Sequence, residues 1–478
     1  MIVRNWISAS SGSAFDSDAL AYLNSAGITD PVIKDATDIL FKKLKSINSY
    51  VPNWVNFSDL AQSKVKLIYP LRGGSEATMK WNAMKPLDSD AALRGVFAGS
   101  GAVLDSQGYK PSGTSYIDTK LNPSTHLSLT STQAGFYSDE DISTGTNIDL
   151  GTRESPWDSE LKIAVNQDGA NVCGVWEIPS SNSILTRANN KSDGYISVHR
   201  FNADYFYIFR NGLVIQVKKN PVANWLPTSN IFLAARNSGG GAGQFSTRNH
   251  FFDLIGQTAR NRKALDTQDA AILSFINSCN GTVVGQEGNI SLWFGDSIIA
   301  GSYVTIPQRF ATLVCSSKIW DEYNYGIPSS TLSYPSAGVN AVLNFYERYD
   351  FEIPYHKSNF KNLIIAYGVN DLIQGLDQAT FESQLRTIVA HALGEKNWPT
   401  SKVKLINHYK TTYQSDAPKI ALNARIASVA TDYSLQLLDV WGAMVADGRG
   451  AELLQADGVH LSIIGNEVVA NYIIANIT

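Results

Sequence analysis

Ile290-Ser291-Leu292-Trp293-Phe294-Gly295-Asp296-Ser297 is a short, nearly unbroken apolar run that ends in a glycine, a carboxylate and a hydroxyl. Runs of this length, bounded by turn residues, read as strands buried on both faces, as in parallel sheets. Downstream, Trp320–Tyr325, Leu363–Tyr367, Val403–Asn407 and Gln436–Val440 are the further candidate strands, and helical patterns fill each gap. This alternation predicts a parallel sheet covered by helices on both faces. A serine placed directly after the first of these strands stands at the carboxyl end of the sheet, where open α/β sheets carry their sites.

Three further blocks fall at similar places. Asn324-Tyr325-Gly326 ends the second strand, Tyr367-Gly368-Val369-Asn370-Asp371 ends the third, and Asp457-Gly458-Val459-His460 precedes a helical run to about Ile477. Taken singly, each is ordinary: Gly-Asp-Ser suits a strand-end turn, Asn370 suits a helix cap, and Asp457 and His460 suit a solvated loop. Taken together, they offer a hydroxyl, an imidazole to take its proton and a carboxylate to fix the imidazole tautomer. An asparagine amide and a backbone N–H beside a glycine are also on hand for a developing oxyanion.

In that order, Ser, Gly, Asn and Asp-x-x-His, the chain resembles the SGNH (GDSL-type) hydrolase family over nearly all of 288–478. The resemblance implies a flavodoxin-like α/β/α domain with a parallel sheet of five strands, matching the five candidate strands above. It implies Ser297 as nucleophile, His460 as base and Asp457 as its orienting carboxylate. The oxyanion hole would comprise the backbone N–H groups of Ser297 and Gly326 and the Asn370 side chain. Leu461 departs from the family, where a proline commonly follows the histidine. The mechanism asks for no metal and no cofactor. His408, at a strand end, is a candidate for lining the cleft, whereas His126, His199, His250, His356 and His391 lie away from the strand ends of this domain.

The first part of the chain has a different texture. Leu20, Leu23, Ile33, Ile39, Leu40, Phe41 and Leu44 recur at helical spacing, broken at Gly27 and at Asp30-Pro31, which predicts two short helices with Asp30 capping the second. Between about Lys66 and Gln257 come short β-rich runs: His126–Leu129, Leu161–Val165, Tyr195–Val198, Tyr205–Phe209, Leu213–Val217, Ile231–Ala235 and Phe251–Ile255. Arg210-Asn211-Gly212 marks a tight hairpin, because Asn-Gly accepts positive φ. These runs predict an antiparallel β-sandwich, and a helix from about Thr267 to Asn277 closes the region. The expected division is a helical segment 1–62, a sandwich 63–262, a helix and linker 263–287 and a hydrolase domain 288–478.

Lys66–Gly74, Met79-Lys80-Trp81-Asn82 and Phe232–Asn237, with the stretch through Gly27-Ile28-Thr29-Asp30, resemble concanavalin-like (laminin-G-like) modules of phage tail and other virion proteins over roughly 17–275. This implies a sandwich of lectin architecture and a virion location. Trp176, Tyr195, Tyr205 and Tyr207 are candidates for stacking on sugars, against the alternative that aromatics in strands pack inward. Gly239–Gly243 lacks a following Lys-Ser/Thr and reads as a loop rather than a phosphate cradle.

Composition narrows the partners. The 478 residues suit two or three domains, and 39 basic against 43 acidic residues leave a net charge of −4, with no excess to hold a nucleic acid. No stretch reaches the ~18 apolar residues of a membrane span, and the start lacks the apolar core of a secretory signal. Cys173, Cys279 and Cys315 have neither metal-ligand nor disulfide spacing. The expectation is a carbohydrate O-acyl esterase acting on bacterial surface polysaccharide. It would be carried on a virion among other tail proteins, as a homotrimer by analogy. The competing expectations are a receptor-binding or structural virion protein that uses the fold only for attachment, and a host lipase or thioesterase.

Overall fold

The computed structural model describes residues 14–47, 65–106, 108–140, 148–154, 159–167, 170–177, 193–201, 205–219, 225–258, 262–280, 289–333 and 344–478. The chain divides into two compact units, the main body of the second being Gln286–Thr478.

In the first unit the helices Ser17–Ala26 and Pro31–Ser46 begin at Asp16 and Asp30, whose carboxylates accept from the first free N–H groups, and Pro31 occupies the first helical turn. The first helix ends at Gly27 in the left-handed region, at φ 66°. Their apolar faces, through Leu23, Leu40, Phe41 and Leu44, share a core with Ile68, Phe252 and Leu254 and with Ile272, Phe275 and Ile276 of the helix Arg262–Asn280.

A six-stranded sheet runs in the order Val65–Tyr69, Phe252–Gly256, Thr132–Ser138, Gly194–Arg200, Tyr205–Arg210, Leu213–Lys219. The tight turn forms at Asn211 (φ 51°) and Gly212 (φ 77°). A second sheet has eight strands and is not wholly antiparallel, since Arg236–Ser238 pairs parallel to Leu150–Glu154. This region is therefore rich in strands, but a concanavalin-like sandwich is not established by them. Two expected strands differ. His126 ends the short helix Pro123–His126, capped by Asn122, and Ile231–Ala235 shrinks to Phe232–Leu233 because Ala234 turns to φ 59°. Gly239–Gly243 is part of a hairpin rather than an open loop. Trp176, Tyr195 and Tyr207 are buried, so the inward-packing alternative holds for them; the Tyr205 side chain lies outside the described residues.

The second unit carries five parallel strands: β1 Ile290–Gly295, β2 Asp321–Gly326, β3 Phe360–Ala366, β4 Val403–Ile406 and β5 Gln436–Leu438. Their spatial order is β2-β1-β3-β4-β5. Every residue of β1 is buried, as its apolar run requires. In this order the chain reverses direction across the sheet between β1 and β3. The crevice at their carboxyl ends is the switch point where such sheets bind ligands.

Candidate active site

Gly295 ends β1 beside Ala366 of β3 and Gly326 of β2, so the segments that follow all three strands start side by side. A Cβ at Gly295 would lie 2.6 Å from the Ala366 carbonyl, which is why the strand closes on glycine. Asp296 then caps the one-turn helix Ser297–Ala300 by accepting from the Ile298 N–H at 2.9 Å. This turn holds Ser297 at the sheet edge, about 8% exposed.

Ser297 Oγ lies 2.8 Å from His460 Nε2, and His460 Nδ1 lies 2.6 Å from Asp457 Oδ2, across a sequence separation of 163 residues. An ionised carboxylate can only accept, so Nδ1 carries the ring proton and Nε2 is left to accept the serine O–H. The other Asp457 oxygen accepts from the N–H groups of Val459 (2.9 Å) and His460 (3.0 Å), so one carboxylate shapes the turn and aims the ring. Burial works to raise the Asp457 carboxyl, but these N–H groups and His460 outweigh it and hold it below the usual range. Gly458 stands at φ 69°, where a Cβ would also meet Thr412 Oγ1 at 2.3 Å. Leu461 is buried and bridges to Leu454, so the loop closes without the family's proline.

Asn370 begins beyond β3, and its Nδ2 donates one hydrogen to the Ser330 carbonyl at 3.0 Å, leaving the second free in direction. Its neighbour Asp371 is buried and accepts from the Leu332 and Ser333 N–H groups at 3.1 and 2.9 Å, tying this segment to the chain after β2. Burial pushes Asp371 up to about 6 despite those N–H groups, and pushes Asp296 up to about 7 despite that of Ile298.

Gly326 requires a correction. Its N–H already donates to Asn324 Oδ1 at 3.0 Å, so it is not an uncommitted oxyanion donor. What the position needs is the missing side chain: a Cβ there would sit 2.3 Å from the Ala300 N and 2.8 Å from the Asp296 carbonyl. Gly326 thus lets the Ser297 turn rest on the end of β2, and Asn324 Nδ2 secures that turn by donating to the Ile299 carbonyl at 2.7 Å. Asn324 had no signal of its own beyond preceding that glycine by two residues.

His408 does not line the cleft. It is 2% exposed beneath Gly368, with its ring Nδ1 against the Tyr409 carbonyl, and burial lowers it to about 4. Among the described residues one group has metal-ligand spacing, Asp350, His391 and Glu395. The buried Lys396 ammonium, 3.2 Å from Asp350, stands where a cation would.

A serine, histidine and aspartate in one hydrogen-bonded chain, at the switch point of a five-stranded parallel sheet, define an α/β domain of serine-hydrolase type. The family model described as GDSL-like Lipase/Acylhydrolase family matches residues 293–468, and this C-terminal region falls in that family. Solved structures similar to the chain include the lipase/acylhydrolase from Enterococcus faecalis, at 24% identity and TM-score 0.32, over 40% of this chain and 95% of that one. Another is a member of the lipolytic protein G-D-S-L family from Veillonella parvula, at 16% identity and TM-score 0.31, over 39% and 97%. A third is a carbohydrate acetylesterase family member from Sinorhizobium meliloti, at 12% identity and TM-score 0.32, over 39% and 96%. No curated protein matches the chain.

Proposed function

We propose that the C-terminal unit is a serine esterase in which Ser297 attacks an acyl carbon and His460 takes its proton. The observation that carries this reading is the unbroken chain from Ser297 Oγ through both ring nitrogens to Asp457. As the Oγ–acyl bond forms, charge collects on the former carbonyl oxygen, with the Ser297 N–H and the second hydrogen of Asn370 Nδ2 as its donors. Collapse breaks the bond to the alcohol oxygen, which leaves with the proton held on His460 Nε2. Water, deprotonated by the same nitrogen, then releases the acid and restores Ser297. Release of 4-nitrophenol from its acetate ester, lost in Ser297→Ala, tests this. Equal turnover by both proteins refutes it, as would be expected of a fold used only for attachment.

The finer reading is O-acyl removal from a bacterial surface glycan by a protein carried on a virion, whose N-terminal unit holds glycan or joins other tail proteins. Its support is the resemblance of residues 17–275 to virion modules. Serine attack also suits acyl transfer and not glycosidic cleavage, which usually employs two flanking carboxylates. An O-acetylated capsule should release acetate at constant polymer size; shortening without acetate would overturn this reading. Light scattering tests the homotrimer.

A further inference from the structure

Beyond the nucleophile turn, the Ser302 N–H returns to the Ser297 carbonyl at 2.9 Å, and the Val304 N–H closes a second turn on Gly301 at 3.2 Å. Tyr303 is the third residue of that turn, with φ 71°. Glycine or asparagine usually fills such a position, because a Cβ is disfavoured in the left-handed region. A tyrosine there carries strain that the turn alone does not repay, and such strain gathers where a side chain has to be aimed. Tyr303 is also 72% exposed, the second most exposed of the large apolar and aromatic residues among the described ones. It packs against the His460 imidazole, with ring centroids 4.7 Å apart and planes inclined by 55°.

The chemistry assigns a side to this ring. In the second half of acylation the leaving alcohol oxygen must receive its proton from His460 Nε2. A group resting on His460 therefore lies beside the alcohol half of the ester, not the acyl half. An aromatic face left open to water with a hydroxyl at its tip suits a partner that has both an apolar face and polar edges. A pyranose ring has both: axial C–H groups on its faces and hydroxyls around its rim. Along the loop Tyr303 is flanked by Ser302 and Val304, with Thr305 and Ile306 exposed, and the hydroxyl at the tip of its ring favours a partner with a polar rim over a plain alkyl chain.

We infer that Tyr303 is the stacking platform for the sugar ring that carries the ester, which makes the substrate an acylated pyranoside with its alcohol half over His460. This rests on the esterase reading above and deepens its glycan form by naming the residue that meets the sugar ring.

The test compares kcat/KM for a mono-O-acetylated methyl glucopyranoside with kcat/KM for ethyl acetate, taking the ratio so that any common effect on His460 cancels. Tyr303→Ala should lower that ratio on the order of tenfold, the loss expected for one aromatic contact, chiefly through KM for the sugar ester. Tyr303→Phe keeps the face and should keep the ratio. Tyr303→Gly suits the turn and should match Tyr303→Ala, which separates loss of the ring from disturbance of the backbone. An unchanged ratio in the alanine and glycine variants, or an equal fall in Tyr303→Phe, overturns the inference while leaving the esterase intact. A parental protein inert toward both esters, and equal to Ser297→Ala, overturns the esterase reading and this inference with it.

Discussion

In the C-terminal unit Asp457 and His460 are three residues apart in sequence and 2.6 Å apart in space; in the N-terminal unit His250 and Asp253 repeat the spacing at 3.1 Å. The surroundings differ in every respect that matters for chemistry. His250 and Asp253 are both 0% exposed, and the His250 ring stacks on Phe136 with centroids 5.0 Å apart. Its Nε2 has no hydrogen-bond partner among the described residues, where His460 Nε2 has a serine hydroxyl. Burial raises the Asp253 carboxyl, whereas the N–H groups of its own turn help hold the Asp457 carboxyl down. A carboxylate beside an imidazole is thus as good a packing element as a proton relay. Solvent access and a hydroxyl at the far nitrogen make the difference.

The sharpest way to break this comparison is to truncate both histidines. His460→Ala, like Ser297→Ala, should lower kcat by about 10⁴–10⁶-fold, as loss of one member of a unit usually does, with the thermal midpoint retained. His250→Ala should do the reverse, costing on the order of 2–4 kcal/mol of stability for a buried ring while the folded protein keeps its kcat. A His250→Ala protein that stays stable and loses activity would erase the distinction. Next in size is Asn370→Ala, for which about 10²–10³-fold in kcat is expected, with KM nearly constant, because the charge it meets develops in the transition state. Steady-state kinetics on a soluble ester decide it; a change confined to KM would assign Asn370 to ground-state binding.

The carboxyls sharpen the contrast through pH. Asp253 and Asp296 are raised, so the stability each contributes is complete below the ordinary carboxylate range and is lost as pH rises through the raised value, about 7 for Asp296. Asp457 is lowered, so its contribution is present above the ordinary value and is lost as pH falls through the lowered one. Asp296→Asn should therefore raise the melting temperature at pH 8 by roughly 2–4 °C for each kcal/mol relieved, with the gain shrinking toward pH 4. Calorimetry showing an equal gain at both pH values would exclude titration of Asp296 as the cause. The smallest effect belongs to the excised region 286–478, which holds Ser297, Asn370, Asp457 and His460 and should keep kcat on a small ester within about twofold, as independent sites do. A folded but inert fragment would place part of the site in the N-terminal unit.

Most C-terminal strands were legible to within a few residues, because a strand buried on both faces leaves a mostly apolar run, as in Ile290–Phe294. Asp321–Gly326, with Asp321, Glu322 and Asn324, was marked instead by its place in the alternation. Ser297, Asp457 and His460 were singled out together by their order along the chain, and the structure brings them into one hydrogen-bonded chain. Gly326 was not, since a sequence cannot tell a glycine that offers its N–H from one that offers only its missing side chain. In the N-terminal unit Ile231–Ala235 reads as five strand residues but keeps two, because the left-handed turn at Ala234 has no compositional mark. Tyr303 left no trace for the same reason: nothing in Gly301-Ser302-Tyr303 announces a tyrosine in a glycine's conformation.

The sequence separation of 163 between Ser297 and His460 also sets a timetable. On a ribosome the hydroxyl emerges long before the imidazole, and β1 lies between two strands of which β3 is made some time later. A nascent chain halted anywhere before His460 displays the nucleophile without its base. The hydrogen-bonded chain from Ser297 to Asp457 can therefore form only once translation has passed His460, and a product terminated before that residue lacks the imidazole.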